Sequence, residues 1–583
     1  MSGAREPRRA AAGPGGIGRE PRRVPGGEVA QAFARAVVRL HRAAGPEGDG
    51  EQRDEVRNED EALLERWARR AWLAAADGHA FVPVPDPLER EGGEPPAAPL
   101  VLDGDALYLQ RLWRAESVLA ARLAALDAPA PLADESRVEA TLDAVAPQGE
   151  VDPLQREAVR TALSRRLAIV TGGPGTGKTT TMARLLVAFL RLAPESRVAI
   201  AAPTGKAAAR LAQALAAQLA RLDPDNALAG RLPVSGMTVH RLLGLRADRA
   251  GPAPGAIRHD LLIVDEASML DLELARALVE SIPEGGRLVL AGDRDQLASV
   301  EAGAVFAEAC ASPLQAVVRL QRNYRQSAAP GLAAFAGWLR DRWQQPEASM
   351  PVGPDGPKGS NEVTVPGPAS AGAIADRSLA AWSPALAALA GGEPAERIVA
   401  AFDRHRVLCA LREGPLGAVA INAAVAARIR RRVGAAPGAI WYTGRIVIVT
   451  RNRPELGLYN GDVGICLPDP TGAPAVAFDA GGALRWQPVR QMPAHEDAFA
   501  ITVHKSQGSE FDTVALVPAP AGHGLNTREL LYTGATRARS ALVVWAGADA
   551  IEDGATRRTE RHGRLADRIA SGRPGGCGTE VRG

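Results

Sequence analysis

Apolar residues fall three and four apart in two stretches of the first 150 residues, VAQAFARAVVRLHRAA (29–44) and ALYLQRLWRAESVLAARLAAL (106–126). That spacing puts them on one face of a helix and predicts a small helical domain over 28–150. From Val151 the pattern changes. Short β-branched runs, each ending in a polar, glycine-rich turn, alternate with helical patterns: LAIVTGG, RVAIAAPTG, LLIVDEAS and RLVLAGDRDQ. The alternation predicts an α/β fold, a parallel sheet covered by helices with ligands at the carboxyl ends of its strands. A second set, HRVLCALREG, FDTVALVP and ALVVWAG, predicts a second α/β lobe. Between them RIVIVTRN, GDVGICL, APAVAFD and ALRWQPV, punctuated by Asn-Gly and Gly-Gly, predict a small antiparallel β-barrel inserted into that lobe.

The expected organisation follows. Residues 1–27 are a disordered Arg/Gly/Pro-rich tail, 28–150 a helical domain, 151–345 the first lobe and 346–372 a Pro/Gly-rich loop or linker. Residues 373–440 and 496–550 make the second lobe, interrupted by the barrel at 441–495 and followed by a tail at 551–583. At 583 residues the chain exceeds one core, since domains run to about 100–200 residues. A net charge of +2 gives no global nucleic-acid footprint, so any such binding needs a local groove. Cys310, Cys409, Cys466 and Cys577 never form CxxC, which speaks against a zinc ribbon or a disulfide framework. With no apolar run of about 18 residues and no apolar signal core before Arg23, a soluble cytoplasmic protein is expected.

The strongest chemical signal is GGPGTGKTT: Gly172, Gly173, Pro174, Gly175, Thr176, Gly177, Lys178, Thr179, Thr180. It fits GxxxxGK[ST] between a strand and a helix whose apolar face is Met182, Leu185, Leu186, Phe189 and Leu190. Loop amides would cradle the polyphosphate of ATP, Lys178 would reach its β/γ oxygens, and the Thr179 hydroxyl would bind Mg²⁺. Asp265 and Glu266 close another strand; the first would hold the magnesium and the second orient or deprotonate the attacking water. Gln296 follows a third strand, placed to sense the γ-phosphate. Arg325 and Arg537 are candidates for the cation that a phosphoryl-transfer transition state needs.

Of 69 basic residues only four are lysines, at 178, 206, 358 and 505. Lys178 lies in the P-loop, and Lys206 and Lys505 lie in APTGKAAARL and ITVHKSQGSEFD, two of the segments that carry a family resemblance; this suggests that a compact, flexible ammonium is needed at all three. None lies two residues after an acid, as a PD-(D/E)xK nuclease site requires, so the chain is not expected to cut DNA itself.

Taken in order, VDPLQREAV, GGPGTGKTT, APTGKAAARL, TVHRLLG, LIVDEASM, GDRDQLASVEAGAV, QRNYRQ, LCALREGPLG, WYTGRIVIVTRN, ITVHKSQGSEFD and LLYTGATRARS resemble superfamily 1 helicases, and among them the RecD family of exodeoxyribonuclease V alpha subunits. LVLDGDALYLQRLWR (100–114) also looks like that family's N-terminal domain. The resemblance implies two RecA-like lobes with ATP between them, Gln155 on the adenine and Glu510 on the ribose side. It implies a track for single-stranded DNA along Thr204, Lys206, Thr238, His240, Thr502, His504 and Lys505. It also implies movement 5′ to 3′, unwinding of double-stranded DNA, and RecB-like and RecC-like partner subunits in a heterotrimer. A stand-alone helicase and a non-motor subunit with an ATP switch are the competing readings. The short N-terminal region, without helix-hairpin-helix glycine signals, weighs against the first, and the Lys178, Glu266 and Arg537 set weighs against the second.

Overall fold

The structure, a computed structural model, describes residues 25–44, 51–84, 99–223, 228, 236–245, 251–324, 329–352, 362–479 and 483–572. Arg325, Lys358, Cys577 and nearly all of the expected 1–27 tail lie outside these residues. Among the described residues no helix is long and apolar enough to cross a membrane.

The first compact unit takes the described residues up to Asp77 and then Phe81–Gln110. Two helices, Pro25–Ala44 and Glu51–Ala76, pack on each other and are followed by a three-stranded antiparallel sheet. Its strands β1 (Phe81–Pro83), β2 (Leu100–Asp103) and β3 (Ala106–Leu109) run in the order β1-β3-β2. Here the helical expectation for ALYL is corrected. Gly104, at φ +66, supplies the tight turn that folds Ala106–Leu109 back on β2, and all four residues are buried. The helix starts only at Gln110. The unit boundary also falls at Gln110 and not at 150, so Arg111–Glu150 packs with the remainder of the chain.

In the second unit the first lobe is a six-stranded parallel sheet: β4 (Leu167–Thr171), β5 (Val198–Ala202), β6 (Met237–Thr238), β7 (Leu261–Val264), β8 (Arg287–Gly292) and β9 (Val317–Arg319). The order is β6-β5-β7-β8-β4-β9. Every residue of β4, β5, β7 and β8 is buried, which is why these strands read as unbroken apolar runs and not as alternation. Helices such as Lys178–Leu192 and Gly205–Leu222 cover the sheet through Leu186, Phe189, Leu211 and Leu215.

The second lobe opens with β10 (Val363–Thr364) and β11 (His405–Cys409). An insertion follows, β12 (Ile446–Val449), β13 (Val463–Pro468), β14 (Pro474–Asp479), β15 (Leu484–Pro488) and β16 (His495–Asp497), before β17 (Ala500–Thr502), β18 (Phe511–Val517) and β19 (Ala538–Val544) complete the lobe. The lobe sheet is parallel in the order β10-β19-β18-β11-β17. The insertion is antiparallel in the order β15-β14-β13-β12-β16. Its end strands are not paired with each other among the described residues, so the expected closed barrel is here an open five-stranded sheet.

Two segments expected as connectors carry structure. Val363, fully buried, makes the edge strand β10 within the supposed 346–372 linker, and the Glu362 carboxylate accepts from the Gly331 and Leu332 amides at the start of the helix Pro330–Asp341. The 551–572 part of the supposed tail crosses back to the first lobe. There Arg561 donates to the Ser299 carbonyl, Glu308 accepts from the Leu565 amide, and Arg568 pairs with the buried Glu116.

Candidate functional site

The loop Gly172–Gly177 joins β4 to the 15-residue helix Lys178–Leu192, whose free N-terminal amides and dipole make an anion site. Gly175 and Gly177 sit at φ +81 and +84, a region that disfavours any side chain. A Cβ at Gly177 would also come within 2.3 Å of the Gln155 amide nitrogen. Lys178 Nζ donates to the Gly172 and Gly173 carbonyls at 2.6 and 3.2 Å, an ammonium resting on the rim of its own loop.

At the end of β7, desolvation and then the adjacent Glu266 push the Asp265 carboxyl up to about 6, opposed by Lys178. A divalent cation fits this position, since it satisfies the same unmet demand for positive charge that raises the proton affinity. Thr179 and Asp265 face one cleft and could hold such an ion together. No group of three or more His, Cys, Asp or Glu placed to hold a metal ion occurs among the described residues; magnesium bound through one or two protein groups and substrate oxygens does not require one. Glu266, at φ +52, is the one non-glycine residue with positive φ among those described, and its amide donates to Asp265 Oδ1 at 2.9 Å.

The cleft encloses about 570 Å³ and both lobes line it. From the first come Gly173–Thr180, Asp265, Glu266 and Gln296; from the second come Gly508, Glu510 and Arg537. Arg537 is buried and held by the Thr533 and Ser509 carbonyls, each at 3.2 Å. Gln155 lines the cleft with both ends of its amide engaged: Nε2 donates to the Thr176 carbonyl at 3.1 Å, and Oε1 accepts from Arg184 at 2.8 Å. Glu510 is paired across the lobes with Arg210 and within its own lobe with Arg539 at 3.3 Å.

Arg184, Arg210 and Tyr324 also line the cleft, and the sequence did not single them out. Arg210 lies four residues after Lys206, on the same side of its helix, and Tyr324 lies beside Arg325; these spacings were the available signals. Arg325 itself lies outside the described residues.

The residues expected along the DNA track lie at or just after the carboxyl ends of three strands. Thr204 caps the helix after β5, accepting from the Ala207 amide; Thr238 caps the short helix after β6, accepting from Arg241; His240 is exposed. Lys206 has no hydrogen-bond or ion-pair partner within the described residues. Burial holds its ammonium below the usual lysine range, partly offset by Asp403 and Asp462. After β17, Thr502 accepts from the Lys505 amide at 3.4 Å, burial lowers the affinity of His504 for a proton, and the Lys505 ammonium pairs with Glu496. The two groups of loops meet at Gly508. A Cβ placed there would lie 3.1 Å from the Ala207 Cβ and 3.6 Å from the Thr204 hydroxyl.

Residues 150–348 match the family described as an AAA domain, and residues 497–545 match the UvrD-like helicase C-terminal domain. The chain is 37% identical over 535 residues to the RecBCD enzyme subunit RecD of Mycobacterium tuberculosis, covering 87% of this chain and 88% of that protein. It is 30% identical over 533 residues to the subunit of the same name from Haemophilus influenzae, covering 82% and 81%. Against the ATP-dependent RecD2 DNA helicase of Deinococcus radiodurans it is 32% identical over 473 residues, 79% of this chain and 58% of that one. With a P-loop cleft closed by a second lobe and this likeness along most of its length, the chain belongs to the RecD family of ATP-dependent DNA helicases.

Proposed function

We propose that the chain is an ATP-driven translocase on single-stranded DNA that moves 5′ to 3′ and unwinds duplex DNA. It works beside RecB-like and RecC-like subunits in a heterotrimeric helicase-nuclease that processes double-strand breaks for recombinational repair. The observation that carries this reading is the cleft that places Lys178, Asp265 and Glu266 of one lobe opposite Arg537 of the other. Polarity and partners follow the family likeness.

Lys178 exchanges the loop carbonyls for β/γ-phosphate oxygens, and Thr179 and Asp265 hold Mg²⁺. The metal, when bound, neutralises phosphate charge. Glu266 orients or deprotonates the attacking water, Gln296 senses the γ-phosphate, and Arg537 and Arg325 meet the charge that develops in the transition state. Gln155 and Glu510 bound the nucleoside end.

Single-stranded DNA runs over Thr204, Lys206, Thr238 and His240 of the first lobe and Thr502, His504 and Lys505 of the second. Gly508, which touches the Thr204–Ala207 turn, lies between Lys505 on the DNA side and Glu510 on the nucleotide side. A change in lobe separation driven by ATP therefore alters both grips together. Opening a base pair costs about 1.4 kcal/mol, and contacts to phosphates suit a motor that accepts any base. Strand cleavage is left to a partner. The deciding experiment is strand displacement on forked DNA of both polarities, by the chain alone and with RecB-like and RecC-like subunits. Unwinding from a 5′ tail that disappears in Lys178→Gln is expected; unwinding only from a 3′ tail, or none in any combination, would refute the proposal.

A further inference from the structure

Tyr532 lies on the helix Arg528–Ala535 of the second lobe, but its hydroxyl is spent on the first. It is buried, and Oη donates to Asp293 Oδ2 at 3.0 Å. The same carboxylate oxygen accepts from Gln296 Nε2 at 3.1 Å, while Oδ1 accepts from the Asp295 amide. Asp293 directly follows β8, and next to it the Thr533 hydroxyl accepts from the Leu297 amide at 2.8 Å. Two consecutive side chains of the second lobe thus grip the turn that carries Gln296.

The P-loop makes room for this contact. A Cβ at Gly173 would stand 2.8 Å from the Tyr532 hydroxyl, so this glycine serves the approach of the other lobe as well as that of phosphate. Burial, followed by Asp293 and Asp295, keeps the phenol protonated far above its ordinary range, so it stays a donor. Gln296 meets Asp293 through the NH2 end of its amide, which turns the carbonyl end away. Gln296 Oε1 is buried without a partner, although the residue lines the cleft.

We propose that Tyr532 is a positioning residue that couples lobe closure to hydrolysis by holding Gln296 through Asp293. Widening the gap between the lobes by about 1 Å takes Tyr532–Asp293 beyond hydrogen-bond range and frees the turn that sets Gln296. Arg537, anchored on the Thr533 carbonyl at the end of the same helix, leaves with it. Closure then assembles two parts of the hydrolytic site in one movement. This rests on the reading of the cleft as an ATPase site.

The test is DNA-stimulated ATP hydrolysis by the full chain as wild type, Tyr532→Phe, Asp293→Asn, Gln296→Ala, Tyr532→Phe/Gln296→Ala and Lys178→Gln. Tyr532→Phe keeps the ring and removes only the donor. Its kcat should fall about ten- to a hundredfold, the range for losing a hydrogen bond to a charged group. KM for ATP should stay within about twofold, and Asp293→Asn should show the same split. On the Gln296→Ala background Tyr532→Phe should add less than about twofold, because the residue through which it acts is gone. Wild-type kcat in Tyr532→Phe or in Asp293→Asn, or a full additional loss on the Gln296→Ala background, would overturn the proposal. Hydrolysis surviving in Lys178→Gln would instead sink the ATPase reading beneath it.

Discussion

Gly508 offers a way to test whether the two lobes work in register, because replacing it with alanine does two separable things. At φ +72 the backbone is left-handed, which costs an alanine roughly 1–2 kcal/mol of stability. The new methyl also stands 3.1 Å from the Ala207 Cβ across the lobe boundary. Carbon atoms rest at about 3.5–4.0 Å, so the lobes must give by about 0.4 Å. A misplacement of 1 Å in a reacting site costs about 10²-fold, and scaling the free energy linearly gives a loss of about sixfold in DNA-stimulated turnover. The assay pairs ATP hydrolysis at saturating single-stranded DNA with thermal melting. Ala207→Gly separates the two effects: it removes the facing methyl, so the double variant should regain turnover. Its melting transition should fall further, since glycine within a helix costs about 1 kcal/mol relative to alanine. Wild-type turnover in Gly508→Ala, or a loss that Ala207→Gly does not recover, would show that the lobes do not pass through this contact during the cycle.

Two other outcomes follow from particular residues. Lys505→Ala should retain nucleotide binding but lose the stimulation of ATPase by DNA, with the salt dependence of single-strand binding reduced by about 0.7 in log–log slope, the share of one phosphate contact; unchanged stimulation counts against its place on the track. Burial, and then Glu116, raise the Glu308 carboxyl to about 7 in the folded chain from an ordinary 4.5. The folded state therefore binds the proton more tightly, and this group adds stability as pH falls from above 7 toward 4.5. Glu308→Gln should melt higher than wild type at pH 8, by a margin on the order of 1 kcal/mol that fades below about pH 5; a margin that does not change with pH would refute the assignment.

The first lobe was legible because the fully buried parallel strands β4, β5, β7 and β8 read as unbroken apolar runs, with candidate site residues directly after two of them: the P-loop after Thr171 and Asp265 after Val264. Periodicity failed at ALYL, where residues 106, 107 and 109 satisfy a strand and a helix equally well and the turn at Gly104 decided between them. Edge strand β10 escaped notice because it is two residues long and the buried Val363 and Val365 make too short an alternation beside prolines and glycines. Partnerships across hundreds of positions, such as Tyr532 with Asp293 or Arg210 with Glu510, leave no trace in local spacing. The sequence could supply Gln296 as a candidate, but not the residue that holds it.

The scarcity of lysine takes on a physical meaning in this setting. Two buried arginines outside the cleft are fixtures. Arg287 spends its fork on the carbonyls of Ala130, Ala162, Leu163 and Arg165, and Arg528 is locked against Glu529 and the Arg340 carbonyl. A planar guanidinium with several bonds made at fixed angles is costly to redirect. The three lysines in the helical turns that follow β4, β5 and β17 are committed less firmly: Lys178 to two loop carbonyls, Lys505 to a half-exposed Glu496, Lys206 to no single partner among the described residues. On the proposed reading each turns to a phosphate by rotating one flexible stem. A motor has to make and release phosphate contacts in every cycle, whereas its scaffold should never release any. On the proposed reading, Arg287 and Arg528 make contacts that last while Lys178, Lys206 and Lys505 make contacts that are exchanged, and Lys505, alone among the three in the second lobe, shares its segment with Glu510.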